Sequence, residues 1–151
     1  MVSIKDTFNL INKFLSDHKK LAPRTVIEYR RDLNCFFNFC LKEYDTVKAS
    51  DIRKYLLNLN ERGYAPGTIG KILATLNSFY HYCSQENLIV KDPTKNIKSP
   101  KTPDRQPVYL DKGQLTELRQ MAENPKKRAI IETLYSTGVR LSELININCK
   151  T

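Results

Sequence analysis

The sequence predicts an all-α protein built as a four-helix bundle, a basic proline-rich linker and the opening helices of a second unit. Two observations carry this. Apolar residues recur at three- and four-residue spacing along four segments before residue 90, the period of an amphipathic helix, and no stretch alternates with the period of two that a half-buried strand needs. Lys91 to Pro107 then holds four of the seven prolines, five basic residues and two acidic ones. Such a segment stays extended and builds no core.

Ile4, Phe8, Ile11, Phe14 and Leu15 mark the first helix, and Tyr29, Leu33, Phe36, Phe37 and Cys40 the second. Ile52, Tyr55, Leu56 and Leu59 mark the third; Ile69, Ile72, Leu73, Leu76, Phe79 and Tyr80 mark the fourth. The second and fourth begin alike, because Ala22-Pro23-Arg24-Thr25-Val26 and Ala65-Pro66-Gly67-Thr68-Ile69 share the pattern Ala-Pro-x-Thr-aliphatic. Proline suits a first helical turn, where its missing N–H costs nothing. Beyond the linker, Leu115, Leu118 and Met121 predict a short helix closed near Asn124-Pro125. Ile130, Ile131, Leu134 and Tyr135 predict another, with Tyr135 at core spacing and Gly138 ending it in a left-handed cap.

The chain has 151 residues and is 40% hydrophobic, enough for a core. Its 25 basic and 16 acidic residues give a net charge of +9, which favours a polyanionic partner. Residues 1–103 hold 17 of the basic and 10 of the acidic side chains, so the excess lies mainly in the first unit. No run approaches the roughly 18 apolar residues of a membrane span, and the N-terminus lacks a signal-peptide core. A cytoplasmic protein with no membrane partner is expected. Cys35, Cys40, Cys83 and Cys149 have no Cys-x-x-Cys spacing and, with His18 and His81, make a poor zinc set. Reduced thiols and no metal site are expected.

Between Arg62 and Gln85 the chain carries no Asp or Glu for 22 residues, whereas a solvated helix ordinarily mixes signs. A wheel of the fourth helix places Lys71, Ala74, Ser78 and Tyr82 opposite the apolar set. Gly70 and Ala74 leave room for a duplex, Lys71 can neutralise a phosphate, and Ser78 and Tyr82 can donate hydrogen bonds to one. The polar side of the second helix carries Arg24, Arg31, Asn34 and Asn38, with Lys19 and Lys20 just before it and Glu28 and Asp32 nearby. Lys91, Lys95, Lys98 and Lys101 fall three or four apart along the linker, so an extended strap either lays them beside a phosphate backbone or leaves them simply solvated. No base-reading pattern stands out.

The end of the chain holds a corner, Leu134-Tyr135-Ser136-Thr137-Gly138-Val139-Arg140-Leu141-Ser142-Glu143-Leu144. Glu143 lies three residues past Arg140, within reach of its guanidinium if a helix begins there. This segment resembles the first-arginine motif of the tyrosine recombinase (phage integrase) family, "tGlRisEl". The resemblance extends over the whole chain. It implies a helical core-binding (SAM-like) domain over 1–90, a linker over 91–107 and an N-terminal fragment of the catalytic domain over 108–151.

What the resemblance implies is a DNA-binding fragment of a site-specific integrase whose partner is double-stranded DNA. In that family the second and fourth helices face the duplex, which places Thr25, Thr68 and Lys71 as contacts, with first-turn bonding to backbone N–H groups an equal alternative for the two threonines. A tyrosine attacks the phosphodiester, leaving a 3′-phosphotyrosyl bond and a free 5′-hydroxyl, with neither nucleotide cofactor nor required metal. Arg140 would clamp the non-bridging oxygens and Glu143 would orient it. The family's lysine, His-x-x-Arg pair, further His or Trp and nucleophilic tyrosine follow this arginine, so they are expected beyond residue 151, and these residues alone are expected not to cleave DNA. Self-association on DNA is expected for the full-length protein. A non-catalytic DNA-binding accessory protein and a helical protein-interaction module are the alternatives.

Overall fold

The computed structural model describes residues 4–17, 21–101 and 106–147. The described residues form seven α-helices and no strand: α1 (Ile4–Asp17), α2 (Pro23–Cys40), α3 (Ala49–Glu61), α4 (Pro66–Gln85), α5 (Lys112–Met121), α6 (Pro125–Thr137) and α7 (Leu141–Ile145). The chain divides into two compact units, Met1–Pro103 and Asp104–Thr151. No helix among the described residues is long and apolar enough to cross a membrane.

In the first unit α4 packs against α1, α2 and α3, as α2 packs against α1, α3 and α4. Helix α4 contributes Ile69, Ile72, Leu73, Leu76, Phe79, Tyr80, Tyr82 and Cys83 to a core shared with Ile11, Phe14 and Leu15 of α1, Leu33, Phe36 and Phe37 of α2, and Ile52, Tyr55 and Leu59 of α3. Aromatic edges fix the centre. The ring of Phe79 meets Phe14 at 5.5 Å and Phe37 at 5.7 Å between centroids, both edge-on, the arrangement that aromatic quadrupoles favour.

The repeated Ala-Pro starts fold alike. Ala22 (φ −60°, ψ 145°) and Ala65 (φ −61°, ψ 142°) are extended N-caps, each followed by proline in the first turn. At its other end α2 stops on Leu41, a non-glycine residue at φ 51°, whose N–H donates to the Phe37 carbonyl at 2.9 Å. Asp51 starts α3: its Oδ2 accepts from the Lys48 N–H at 2.9 Å and its two oxygens accept from Lys42 Nζ at 2.8 and 2.9 Å. The Lys42 ammonium, with the Lys48 N–H, holds this carboxyl below its usual range despite partial burial.

The segment after α4 differs from an unanchored strap. Asp92 Oδ1 accepts from both the N–H and the hydroxyl of Thr94, each at 2.7 Å, and Thr94 is buried. Ile97 packs against the bundle core. Proline content favours an extended chain, but the burial of Thr94 and the packing of Ile97 seat residues 92–97 on the first unit.

In the second unit α5 opens on Asp111, whose carboxylate accepts from the Gln114 N–H at 2.8 Å while Gln114 Oε1 accepts from the Asp111 N–H at 3.1 Å. Arg119 Nε and Nη2 donate to the two oxygens of Glu132 at 2.7 and 2.8 Å, tying α5 to α6. The expected burial of Tyr135 does not occur. Its ring is 61% exposed with the Arg119 guanidinium 5.1 Å above its centroid, because α6 buries none of its residues within this small unit.

Candidate nucleic-acid interface and arginine corner

The outward side of α4 is set by what its other sides must cover. Packing against three helices buries a wide stripe that takes in Thr75 and Tyr82, leaving Thr68, Lys71, Ala74, Asn77, His81, Ser84 and Gln85 exposed and Ser78 half-buried. The exposed row is rotated relative to a simple wheel. Asn77 and His81 belong to it, and Tyr82 does not.

Tyr82 is therefore corrected from a DNA-facing donor to a packing residue. It is 6% exposed, and its hydroxyl donates to Asp17 Oδ2 at 2.7 Å, linking α4 to the end of α1. Burial and the adjacent Asp17 carboxylate both push its phenol pKa up. The apolar body of tyrosine is the signal that the wheel underweighted. Gly70 is corrected in the same way. A Cβ there would lie 3.0 Å from Ser99 Oγ, so its missing side chain admits the seated segment of the first unit rather than a duplex.

On α2, Arg24 and Arg31 are exposed, but each meets an acid on its own helix. Arg24 Nε pairs with Glu28 Oε1 at 3.2 Å, and Arg31 Nη2 with Asp32 Oδ1 at 3.0 Å. The Asp32 hydrogen bond and charge raise the Arg31 pKa further. Thr25 is half-buried and Asn38 exposed. Lys19 and Lys20 lie outside the described residues. Lys91, Lys95, Lys98 and Lys101 are all exposed. Among these groups, α4 alone presents an exposed cation, Lys71, on a helix with no carboxylate of its own, since the nearest acid in sequence, Glu86, is its C-cap.

The second unit builds its corner from local rules. Gly138 takes φ 64° and donates its N–H to the Leu134 carbonyl at 3.0 Å, ending α6 in the left-handed conformation that glycine adopts without strain. Two residues later Arg140 is the extended N-cap of α7. Glu143 closes the corner, with Oε2 accepting from the Arg140 N–H at 2.9 Å and Oε1 from Arg140 Nη1 at 3.0 Å. Those two bonds, the backbone one first, hold the Glu143 carboxyl below its usual range. One carboxylate thus caps the helix and orients the guanidinium, whose side chain remains 83% exposed and available to an oxyanion. Among the described residues no group of three or more His, Cys, Asp or Glu side chains is placed to hold a metal ion.

Residues 11–87 match the phage integrase N-terminal SAM-like domain. Over 155 residues the chain is 32% identical to tyrosine recombinase XerC of Roseiflexus sp. (strain RS-1), covering 96% of this chain and 50% of that protein. Tyrosine recombinase XerC of Roseiflexus castenholzii (strain DSM 13941 / HLO8) is 33% identical over 146 residues, covering 90% and 46%. The chain spans about half the length of these curated relatives. The fold also matches the Tn1549 transposon integrase in complex with transposon right end DNA, with a TM-score of 0.77 at 21% identity over 95% of this chain and 48% of that one.

Proposed function

This chain belongs to the tyrosine recombinase (phage integrase) family, and from that premise we propose that its helical bundle grips double-stranded DNA for a site-specific recombinase. The observation that carries the reading is the exposed, acid-free row of α4, where Thr68 and Lys71 meet phosphates and small Ala74 lets the helix come close. Arg24, Thr25 and Arg31 of α2 and half-buried Ser78 flank this contact. Exposed Lys95, Lys98 and Lys101 extend it along the backbone. The fit of the fold to an integrase in complex with DNA supports the same partner.

In the second unit Arg140 is the phosphate clamp. During transfer of a phosphodiester to a tyrosine oxygen, negative charge builds on the non-bridging oxygens, and a guanidinium answers it with two N–H donors in a fixed fork. Glu143 keeps that fork aimed by accepting from Nη1 and from the N–H of the same residue. The nucleophile and the acid that protonates the leaving 5′-oxygen belong to the complete recombinase, which works as an assembly on DNA in the cytoplasm.

Fluorescence anisotropy with a labelled duplex tests the grip. Log affinity should fall linearly with log salt, losing about 0.9 in slope for each phosphate contact removed. An affinity indifferent to salt would rule out this reading.

A further inference from the structure

Resting on the DNA-gripping reading of α4, we propose that Asn77 and Gln85 of that helix read base edges, so that the bundle selects sequence as well as holding backbone. Both residues are exposed on the acid-free row. They stand eight positions apart with His81 midway, so the three follow one i, i+4, i+8 line along the helix. The Asn77 amide presents a donor and an acceptor side by side, the pairing that meets N6 and N7 of adenine in a major groove. Ala74, three residues earlier and exposed, offers only a methyl group, the partner for a thymine C5-methyl.

Gln85 carries the same amide edge, and its Nε2 lies 3.1 Å from His81 Nε2. With Gln85 donating, one amide N–H and the carbonyl oxygen stay available, and the contact fixes the side chain in one orientation. His81 is thus a positioning residue for Gln85. Eight residues of helix rise about 12 Å, so the two amides address base pairs about three to four steps apart at 3.4 Å per step. Lys71 and Thr68, a turn and more toward the N-terminus, set the register on phosphates without reading sequence.

The test is selection of bound duplexes from a randomised library by the 151-residue chain, followed by affinities for the recovered sites and for scrambled ones. The wild-type chain should enrich an adenine at each of two positions about three to four base pairs apart. Asn77→Ala should erase the preference at one position and Gln85→Ala at the other, each lowering affinity for the recovered site by about 5- to 150-fold while leaving scrambled duplex and the salt slope unchanged. His81→Ala should relax only the Gln85 position, an outcome that general loosening of α4 would not give. Duplex binding with no enriched position, or preferences that survive both alanine variants, would overturn base reading and leave the grip intact. Loss of salt-dependent binding by the wild-type chain would instead remove the grip and this proposal with it.

Discussion

Two tyrosines on α4, two residues apart and both buried, should respond to loss of their hydroxyls in opposite directions. Tyr80 is 0% exposed, and among the described residues its hydroxyl has no hydrogen-bond partner. Tyr82 donates to Asp17 at 2.7 Å. A buried, unsatisfied hydroxyl destabilises the fold by about 1 to 3 kcal/mol, so Tyr80→Phe should be neutral or stabilising by about 1 kcal/mol. Phenylalanine keeps the ring and its packing against Phe79, whose centroid is 5.4 Å away. Tyr82→Phe removes a bond to a carboxylate, but Asp17 is exposed and water replaces the donor. The loss should therefore be about 1 kcal/mol, toward the lower end for such bonds. Thermal unfolding reads the contrast, since each kcal/mol moves the midpoint of a domain this size by about 4–8 °C. Tyr82→Phe should also leave duplex affinity unchanged. Destabilisation by Tyr80→Phe of 1 kcal/mol or more would refute the reasoning, because it would mean that the hydroxyl is satisfied by buried water.

Leu41 caps α2 at φ 51° while 74% exposed; Leu41→Gly should relieve that backbone and stabilise by about 1 kcal/mol in denaturant unfolding, and a loss would show that the leucine contributes packing. Burial raises the phenols of Tyr80 and Tyr82, the Tyr55 phenol to about 12 and the Cys83 thiol to about 12. The unfolded chain gives up these protons earlier, so their contribution is whole below the ordinary thiol and phenol values of 9.0 and 10.0 and is lost as pH rises through the folded values. Alkaline unfolding should accompany the appearance of tyrosinate absorbance; phenols that ionise with the fold intact would contradict this. Hydrogen exchange should find the Thr94 and Ile97 amides, bonded to Asp92 Oδ1 and the Thr94 carbonyl, slower than that of Lys101; equal rates would detach the segment.

Much of this architecture is legible in the sequence because its rules are local. Proline in a first turn and glycine in a left-handed cap depend on a few neighbouring residues, so Pro23, Pro66 and Gly138 announce their roles. The pairing of Arg140 with Glu143 is a three-residue reach. The outward row of α4 is less legible, since it depends on how many helices press on it. Three neighbours bury Thr75 and Tyr82 and turn Asn77 and His81 outward, which spacing within one helix does not encode. The linker follows the same logic. Its prolines describe conformation, while its seating depends on Thr94 and Ile97 meeting a surface built elsewhere. Tyr135 has the spacing of a core residue, and burial also requires chain to pack against it.

The central claim is that a particular face of the bundle, rather than net charge, holds the duplex. Lys71 on α4 and Lys13 on α1 are both exposed, so Lys71→Ala and Lys13→Ala remove the same charge from different helices. Salt titrations of duplex affinity should show the slope reduced by about 0.9 for Lys71→Ala and unchanged for Lys13→Ala, with equal melting temperatures. Equal slopes for the two variants would contradict the account and return DNA binding to overall charge alone.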